Sequence, residues 1–141
     1  MAKAGLKAKP ELGIQFGAGG GATPVAELAA EGTRDAGWVI KRAKACLKAG
    51  AHMIMIESEG ITENVETWRT DVVAQIIHAL GTEKVMFEAA DPPVFEWYVK
   101  NYGAEVKLFV DHSQIVQLEC LRSGIWGTKS NWGRVVTYKD G

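Results

Sequence analysis

The chain has 141 residues, of which 47% are hydrophobic and 23% are charged, and its formal net charge is −1. This balance predicts a globular domain with one core, and it gives no electrostatic basis for binding nucleic acid or an acidic membrane. No apolar run approaches the roughly 20 residues that cross a bilayer, and the N-terminus lacks the apolar stretch of a secretory signal. The two cysteines lack metal-binding spacing and are expected to be reduced thiols of a cytoplasmic protein. Together these features predict no nucleic-acid or membrane partner.

Four β-type runs alternate with helical patterns along the chain. The strands are predicted at residues 6–16, 53–57, 85–88 and 106–111. Strands that are apolar on both faces and joined by helices favour a parallel sheet covered by helices. Two architectures fit this order, a small doubly wound sheet or part of a (β/α)8 barrel.

The first two helical patterns follow the first and second strands. One covers residues 37–47, and the other has apolar residues at steps of three and four from Val65 through Trp68 to Leu80. Gly81 supplies a stop after the second pattern. We therefore expect two amphipathic helices that pack against the sheet.

The third and fourth helices have recognisable ends. Asp91 is a good N-cap, followed by proline at the first helical position, and Gly103 ends this third helix. The fourth follows the last strand, and its inner face is predicted to contain Ile115, Leu118 and Leu121.

Two stretches fall outside this pattern. Residues 17–33 form a Gly/Ala-rich segment after the first strand, where parallel α/β folds build their active sites. Residues 124–141 break the alternation and are predicted to be irregular.

An acid closes each of the last three apolar strands. Glu57, Glu88 and Asp111 directly follow apolar runs, so each is expected at the carboxyl edge of the sheet. Adjacent parallel strands lie about 4.8 Å apart, and converging carboxylates repel each other unless a cation lies among them. Mg²⁺, a lysine or an arginine would serve, whereas a single acid is more simply a helix cap or the partner of a nearby lysine.

Lys9 and Glu11 lie two positions apart in the first predicted strand and therefore on one face of it. A lysine inside a buried sheet is a candidate acid or base, whereas a lysine on an edge strand is simply solvated. The spacing leaves both interpretations open.

Asp111, His112, Ser113 and Gln114 lie at the turn into the fourth helix, where backbone N–H groups favour an anion. An ordinary capped helix start explains the same residues. Arg69, on the second helix, is by default a solvated charge.

Several segments together resemble the phosphosulfolactate synthase family. They are KAKPE, AGAHMIMIESEGI, WRTDVV, EKVMFEAAD and above all LFVDHSQIVQLECLR, spread over residues 7–122. This family includes an archaeal enzyme of coenzyme M biosynthesis, bacterial relatives and a plant heat-stress-associated protein.

The resemblance implies a TIM barrel, of which this chain is expected to supply the C-terminal half, strands five to eight. Residues 1–123 are then a half (β/α)8 barrel of four βα units, and residues 124–141 are a tail. Half a barrel leaves open sheet edges, so we expect a homo-oligomer or pairing with a missing N-terminal half.

The reaction implied is the addition of sulfite to phosphoenolpyruvate, with Mg²⁺ as cofactor, to give (2R)-3-phosphosulfolactate. By analogy Lys9 is the catalytic acid with Glu11 as its neighbour, and Glu57 and Glu88 are the metal or orienting groups. Phosphate-binding candidates are the four residues 111–114, and Arg69 is a candidate for neutralising sulfite or the carboxylate. The alternatives are a non-catalytic heat-stress-associated relative and a truncated pseudo-enzyme that acts through protein partners.

Overall fold

A computed structural model describes residues 4–14 and 36–124 of the protein. The Gly/Ala-rich segment 17–33 and residues 125–141 of the predicted tail lie outside the described residues.

The observed elements alternate strand and helix. Within the described ranges the strands are β1 (Glu11–Leu12), β2 (Ile54–Ile56), β3 (Val85–Glu88) and β4 (Leu108–Phe109). The helices of the same ranges are α1 (Gly37–Lys48), α2 (Thr70–Leu80), α3 (Pro92–Tyr102) and α4 (Ile115–Arg122). Short 3-10 turns at Thr82–Lys84 and His112–Gln114 precede β3 and α4.

The strands follow one another in the sheet in chain order, β1-β2-β3-β4. β1 pairs with β2 and β2 with β3, both in parallel. Glu11 lies beside Met55, and Met55 lies beside Met86. The predicted fold class, a parallel α/β sheet with alternating helices, is confirmed.

Up to residue 14 the first strand is much shorter than the predicted 6–16, and positions 15 and 16 of that prediction lie outside the described residues. Pro10 has no N–H and cannot complete a ladder, so regular pairing is confined to the two residues of β1. The extended backbone before it still accepts hydrogen bonds from the β2 side, since Ala8 receives the His52 amide at 2.8 Å and Pro10 the Met55 amide at 2.9 Å.

The fourth strand also falls short of the predicted 106–111. The carbonyl of Val106 accepts a hydrogen bond from the Arg122 side chain at 2.7 Å, and its amide donates to Gly103. At the other end, the Asp111 carboxylate already caps the following turn. These contacts engage the ends of the predicted strand and leave Leu108–Phe109 as β4.

The second helix begins at Thr70, so the prediction that Val65 and Trp68 belong to it is wrong. Arg69 has a non-helical backbone, with ψ of 63°, and its amide donates to Ile61 at 2.8 Å. This bond holds the chain in a loop, so Val65 and Trp68 keep a helical spacing in the sequence without forming part of the helix.

The fourth helix buries Leu118 and Leu121 as predicted, but Ile115 is 52% exposed. Ile115 is the first residue of α4 and directly follows the 3-10 turn. The expected inner face is therefore buried only from Leu118 onward, and the prediction that Ile115 belongs to it is wrong.

The chain divides into two compact units, Met1–Glu88 and Ala89–Gly141. The core of the first unit contains Ile54, Ile56, Val72, Ile76 and Phe87, among others. The core of the second is built from buried residues of α3 and α4 with Val106; these are Val94, Phe95, Tyr98, Val99, Leu118 and Leu121. The predicted division into a half-barrel at 1–123 and a tail stays a prediction.

Candidate functional site

Glutamates of the first unit share one face of its sheet. Along β2 and β3 the buried residues alternate with half-buried ones, so Met55, Glu57, Met86 and Glu88 lie on the face opposite the buried set. Glu11 lies beside Met55 and belongs to the same face. The register that pairs Ile56 with Phe87 places Glu57 and Glu88 at neighbouring positions on adjacent strands.

Ser58 forms hydrogen bonds with two of the acids. Its amide and its hydroxyl both donate to Oε2 of Glu88, at 3.2 and 3.0 Å, and its hydroxyl also contacts the carboxylate of Glu63. Sequence reasoning missed Ser58 and Glu63. A serine between two acids in ESE was the available signal, but Glu63 reaches it only because the turn after β2 folds back on Ser58.

The Glu57 carboxyl is the strongly perturbed group of this face. Burial, followed by repulsion from Glu11, Glu88, Glu59 and Glu63, raises its pKa from 4.5 to about 7. A carboxyl with this pKa is about half protonated at neutral pH, which suits proton transfer.

Lys9 lies on the same side of the first unit. Its ammonium Nζ is 3.6 Å from Sδ of Met86, a residue of the acid-bearing face. Lys9 is exposed and makes no ion pair with a carboxylate within residues 4–14 and 36–124. Lys9 is therefore a solvated lysine next to an edge strand, as one interpretation of the sequence expected. It also reaches the face that carries the glutamates, which the other interpretation, a catalytic acid or base, requires.

Arg69 occupies the N-cap position of α2 and forms a forked pair with Asp71. Its Nε donates to Oδ1 of Asp71 and a terminal nitrogen donates to Oδ2, both at 2.9 Å. These bonds lower the pKa of Asp71 and hold the guanidinium against the helix start. An anion at Arg69 would have to compete with this carboxylate.

The DHSQ segment lies in the second unit and forms the turn before α4. The Asp111 carboxylate accepts hydrogen bonds from the Ser113 amide, at 2.9 Å, and from the Ser113 hydroxyl, and His112 Nδ1 lies 3.2 Å from it. These bonds lower the pKa of Asp111, and the bond from the Ser113 hydroxyl has the largest effect. Gln114 donates to the Ala90 carbonyl at 3.0 Å. The Ser113 amide, a natural anion donor, is thus held by an internal carboxylate.

The acid-bearing face offers two neighbouring carboxylates, Glu57 and Glu88, to a cation. In the described part of the chain, no three His, Cys, Asp or Glu side chains are grouped so that they could hold a metal ion. Mg²⁺ usually takes only one or two carboxylates and fills its other positions with water and substrate phosphate. Glu57 and Glu88 fit this mode, since the repulsion that raises the Glu57 pKa is what a nearby cation would relieve.

Comparison with known proteins identifies the sequence class. The family model for (2R)-phospho-3-sulfolactate synthase (ComA) matches residues 1–128. Protein HEAT-STRESS-ASSOCIATED 32 of Arabidopsis thaliana is 40% identical over 127 residues, which cover 84% of this chain and 44% of that protein. The chain thus spans less than half the length of this curated relative. No solved structure matches the chain, and none of the helices in the described ranges has the length and hydrophobicity to cross a membrane.

Proposed function

The chain belongs to the (2R)-phospho-3-sulfolactate synthase family, and from this premise we propose that it is a cytoplasmic lyase-type synthase that adds sulfite to phosphoenolpyruvate. The observation that carries the proposal is the shared face of the first unit. That face combines a carboxyl with a pKa of about 7, a carboxylate fixed by Ser58 and a lysine within reach of the same surface.

The reaction needs two kinds of group. The sulfur of sulfite forms a bond to the terminal methylene carbon of phosphoenolpyruvate, and the electron pair of the double bond moves onto the neighbouring carbon and its carboxylate. That carbon, which keeps its phosphate, then takes one proton, which gives (2R)-phospho-3-sulfolactate without loss of any group. The protein must therefore stabilise a developing enolate-like anion and deliver a proton to carbon.

The residues of the first unit are assigned to these tasks. Lys9 is the proposed proton donor, and Glu11, two residues away on the same face, keeps its surroundings negative. Mg²⁺, when held by Glu57 and Glu88, would supply Lewis-acid stabilisation of the carboxylate charge. The phosphate-binding roles of residues 111–114 and the sulfite- or carboxylate-binding role of Arg69 remain part of the proposal, with Asp111 and Asp71 as the internal competitors of an anion.

The test is turnover of sulfite and phosphoenolpyruvate with Mg²⁺, followed by mass spectrometry of the product. Lys9→Ala is expected to lower kcat at least about 100-fold, the usual contribution of a positioned acid. Lys7→Ala is the matched control, because Lys7 is also exposed and lies two residues earlier in the same segment. Equal turnover in the two variants would overturn the role of Lys9.

A second candidate function is favoured by the 40% identity to the heat-stress-associated relative. In that case the chain acts through protein partners, as a non-catalytic relative or a pseudo-enzyme. Negligible turnover by wild type and Lys9→Ala alike, under conditions in which a full-length synthase of the family is active, would favour this alternative.

A further inference from the structure

Ser58 is a polar residue in an apolar position. Its exposure is 2%, which within residues 4–14 and 36–124 puts its small hydroxyl side chain among the buried, mostly apolar core residues. Burying a hydroxyl is costly unless it is hydrogen-bonded, so the contacts of Ser58 must offset that cost. Its amide donates to one oxygen of Glu88, and its hydroxyl lies within hydrogen-bond distance of that same oxygen and of the Glu63 carboxylate.

Ser58 is itself held firmly. Its carbonyl accepts the amides of Ile61 and Thr62 at 2.9 Å and that of Glu63 at 3.2 Å, which closes the turn after β2. The donors that hold Glu88 therefore belong to a backbone that is fixed by its own turn. A carboxylate bound by two donors of one residue loses most of its freedom to rotate, and that ordering is complete before any ligand arrives.

The hydroxyl of Ser58 has one hydrogen and two carboxylates within reach. It can donate to Glu63 or to Glu88 at one time, while the backbone amide stays on Glu88. Glu88 is therefore held by the amide at all times and by the hydroxyl whenever Glu63 does not take that hydrogen.

We propose that Ser58 is a positioning residue that holds the Glu88 carboxylate in its working direction on the acid-bearing face. The inference rests on the proposed function, in which Glu88 orients the substrate and its metal. Ser58 acts only through Glu88 and does not touch the reacting atoms.

A double-mutant cycle tests the proposal in the synthase assay. Ser58→Ala is expected to lower kcat by about 10- to 100-fold, as losses of orienting partners do. In the Glu88→Gln background the same change should have no further effect, because the residue on which it acts has already been altered. Additive losses would indicate a general structural role and overturn the proposal.

Two further variants control for folding. Thr62→Val removes a hydroxyl from the same turn, one that has no hydrogen-bond partner in the described part of the chain, and kcat should stay near wild type. Ser58→Thr retains both donors and should restore most of the activity. If Ser58→Ala fails to fold by circular dichroism, Ser58→Cys replaces it, since a thiol of similar size is only a weak donor.

A readout without turnover separates this inference from the proposed function. The carboxyl carbon resonance of Glu88, assigned by its absence in Glu88→Gln, should move at fixed pH in Ser58→Ala and stay in place in Thr62→Val. An unmoved resonance overturns the positioning role even if the enzyme is active. If the resonance moves but the protein never turns over sulfite and phosphoenolpyruvate, the positioning role of Ser58 is supported and the proposed synthase function is overturned.

Discussion

At the scale of single residues, the environment of Glu57 determines what its carboxyl can do. Glu57 ends an apolar strand, and the folded chain surrounds it with four further glutamates and partial burial. Both effects disfavour the charged form, with burial the larger. The same residue in solvent would be ionised at every physiological pH.

The raised pKa predicts how stability changes with pH. Because folded Glu57 holds its proton more tightly than unfolded Glu57, its contribution is fully present below about pH 4.5 and is lost as pH rises through about 7. Glu57→Gln should therefore stabilise the protein at pH 8 by about 1–2 kcal/mol, after allowance for solvent screening of a half-buried group.

The measurement is urea unfolding between pH 4.5 and 8 in a buffer with chelator, so that no metal obscures the titration. Glu66→Gln is the control, because Glu66 is an exposed glutamate a few residues along the same chain segment. If both variants change stability equally at all pH values, the assignment of the perturbed group to Glu57 is wrong.

At the scale of elements, the helix ends show how local sequence signals become structure. Helix α3 starts after Asp91 with Pro92 and stops at Gly103, as the sequence predicts. Gly103 has φ of 90° and ψ of 170°, a combination that is essentially restricted to glycine. The Asp91 side chain makes no capping bond, so the proline and the glycine are what define this helix.

Gly103→Ala should lower the free energy of unfolding by about 1–3 kcal/mol, the usual cost of this backbone region for a residue with a Cβ. Nothing lies within 4 Å of the added carbon, so the expected loss comes from backbone strain alone. Gly37→Ala is the matched control, since Gly37 begins helix α1, where alanine is neutral or stabilising by up to about 1 kcal/mol. Thermal or urea unfolding that shows equal effects for both would contradict the assigned backbone geometry.

At the scale of the whole molecule, the edge of the sheet at β1 decides what the chain can pair with. β1 is the first strand in the sheet order, and among the described residues no strand pairs with its far edge. Leu6, in the segment that leads into β1, is an apolar side chain with 63% exposure. Such an edge is a template for pairing with another chain, which supports the proposal of a homo-oligomer or of pairing with a complementary N-terminal half.

Sedimentation velocity over a range of concentrations tests this association. We expect species larger than the 15.3 kDa chain, and Leu6→Lys should weaken their formation because a charge beside an edge strand disfavours pairing. Val116→Lys is the control, because Val116 is similarly exposed, at 70%, but lies on helix α4. A monomer at every concentration would contradict the proposal.

The sequence by itself determined the alternation of strands and helices, the third strand at 85–88 and the ends of helix α3. Periodicity, proline and glycine act over a few neighbouring residues, so they can be recognised without a structure. The acids at the strand ends were predicted for the same reason, because each follows its apolar run directly.

Only the tertiary structure decided that Trp68 precedes its helix and that Ser58 holds Glu88. The first depends on the bond from the Arg69 amide to the Ile61 carbonyl, and the second on a bond across the 30 positions between Ser58 and Glu88. The Glu57 pKa belongs to the same class, since it is set by burial and by charges on other strands and loops. Local patterns carry no information about such pairings, because the strand register that brings the groups together exists only in the folded sheet.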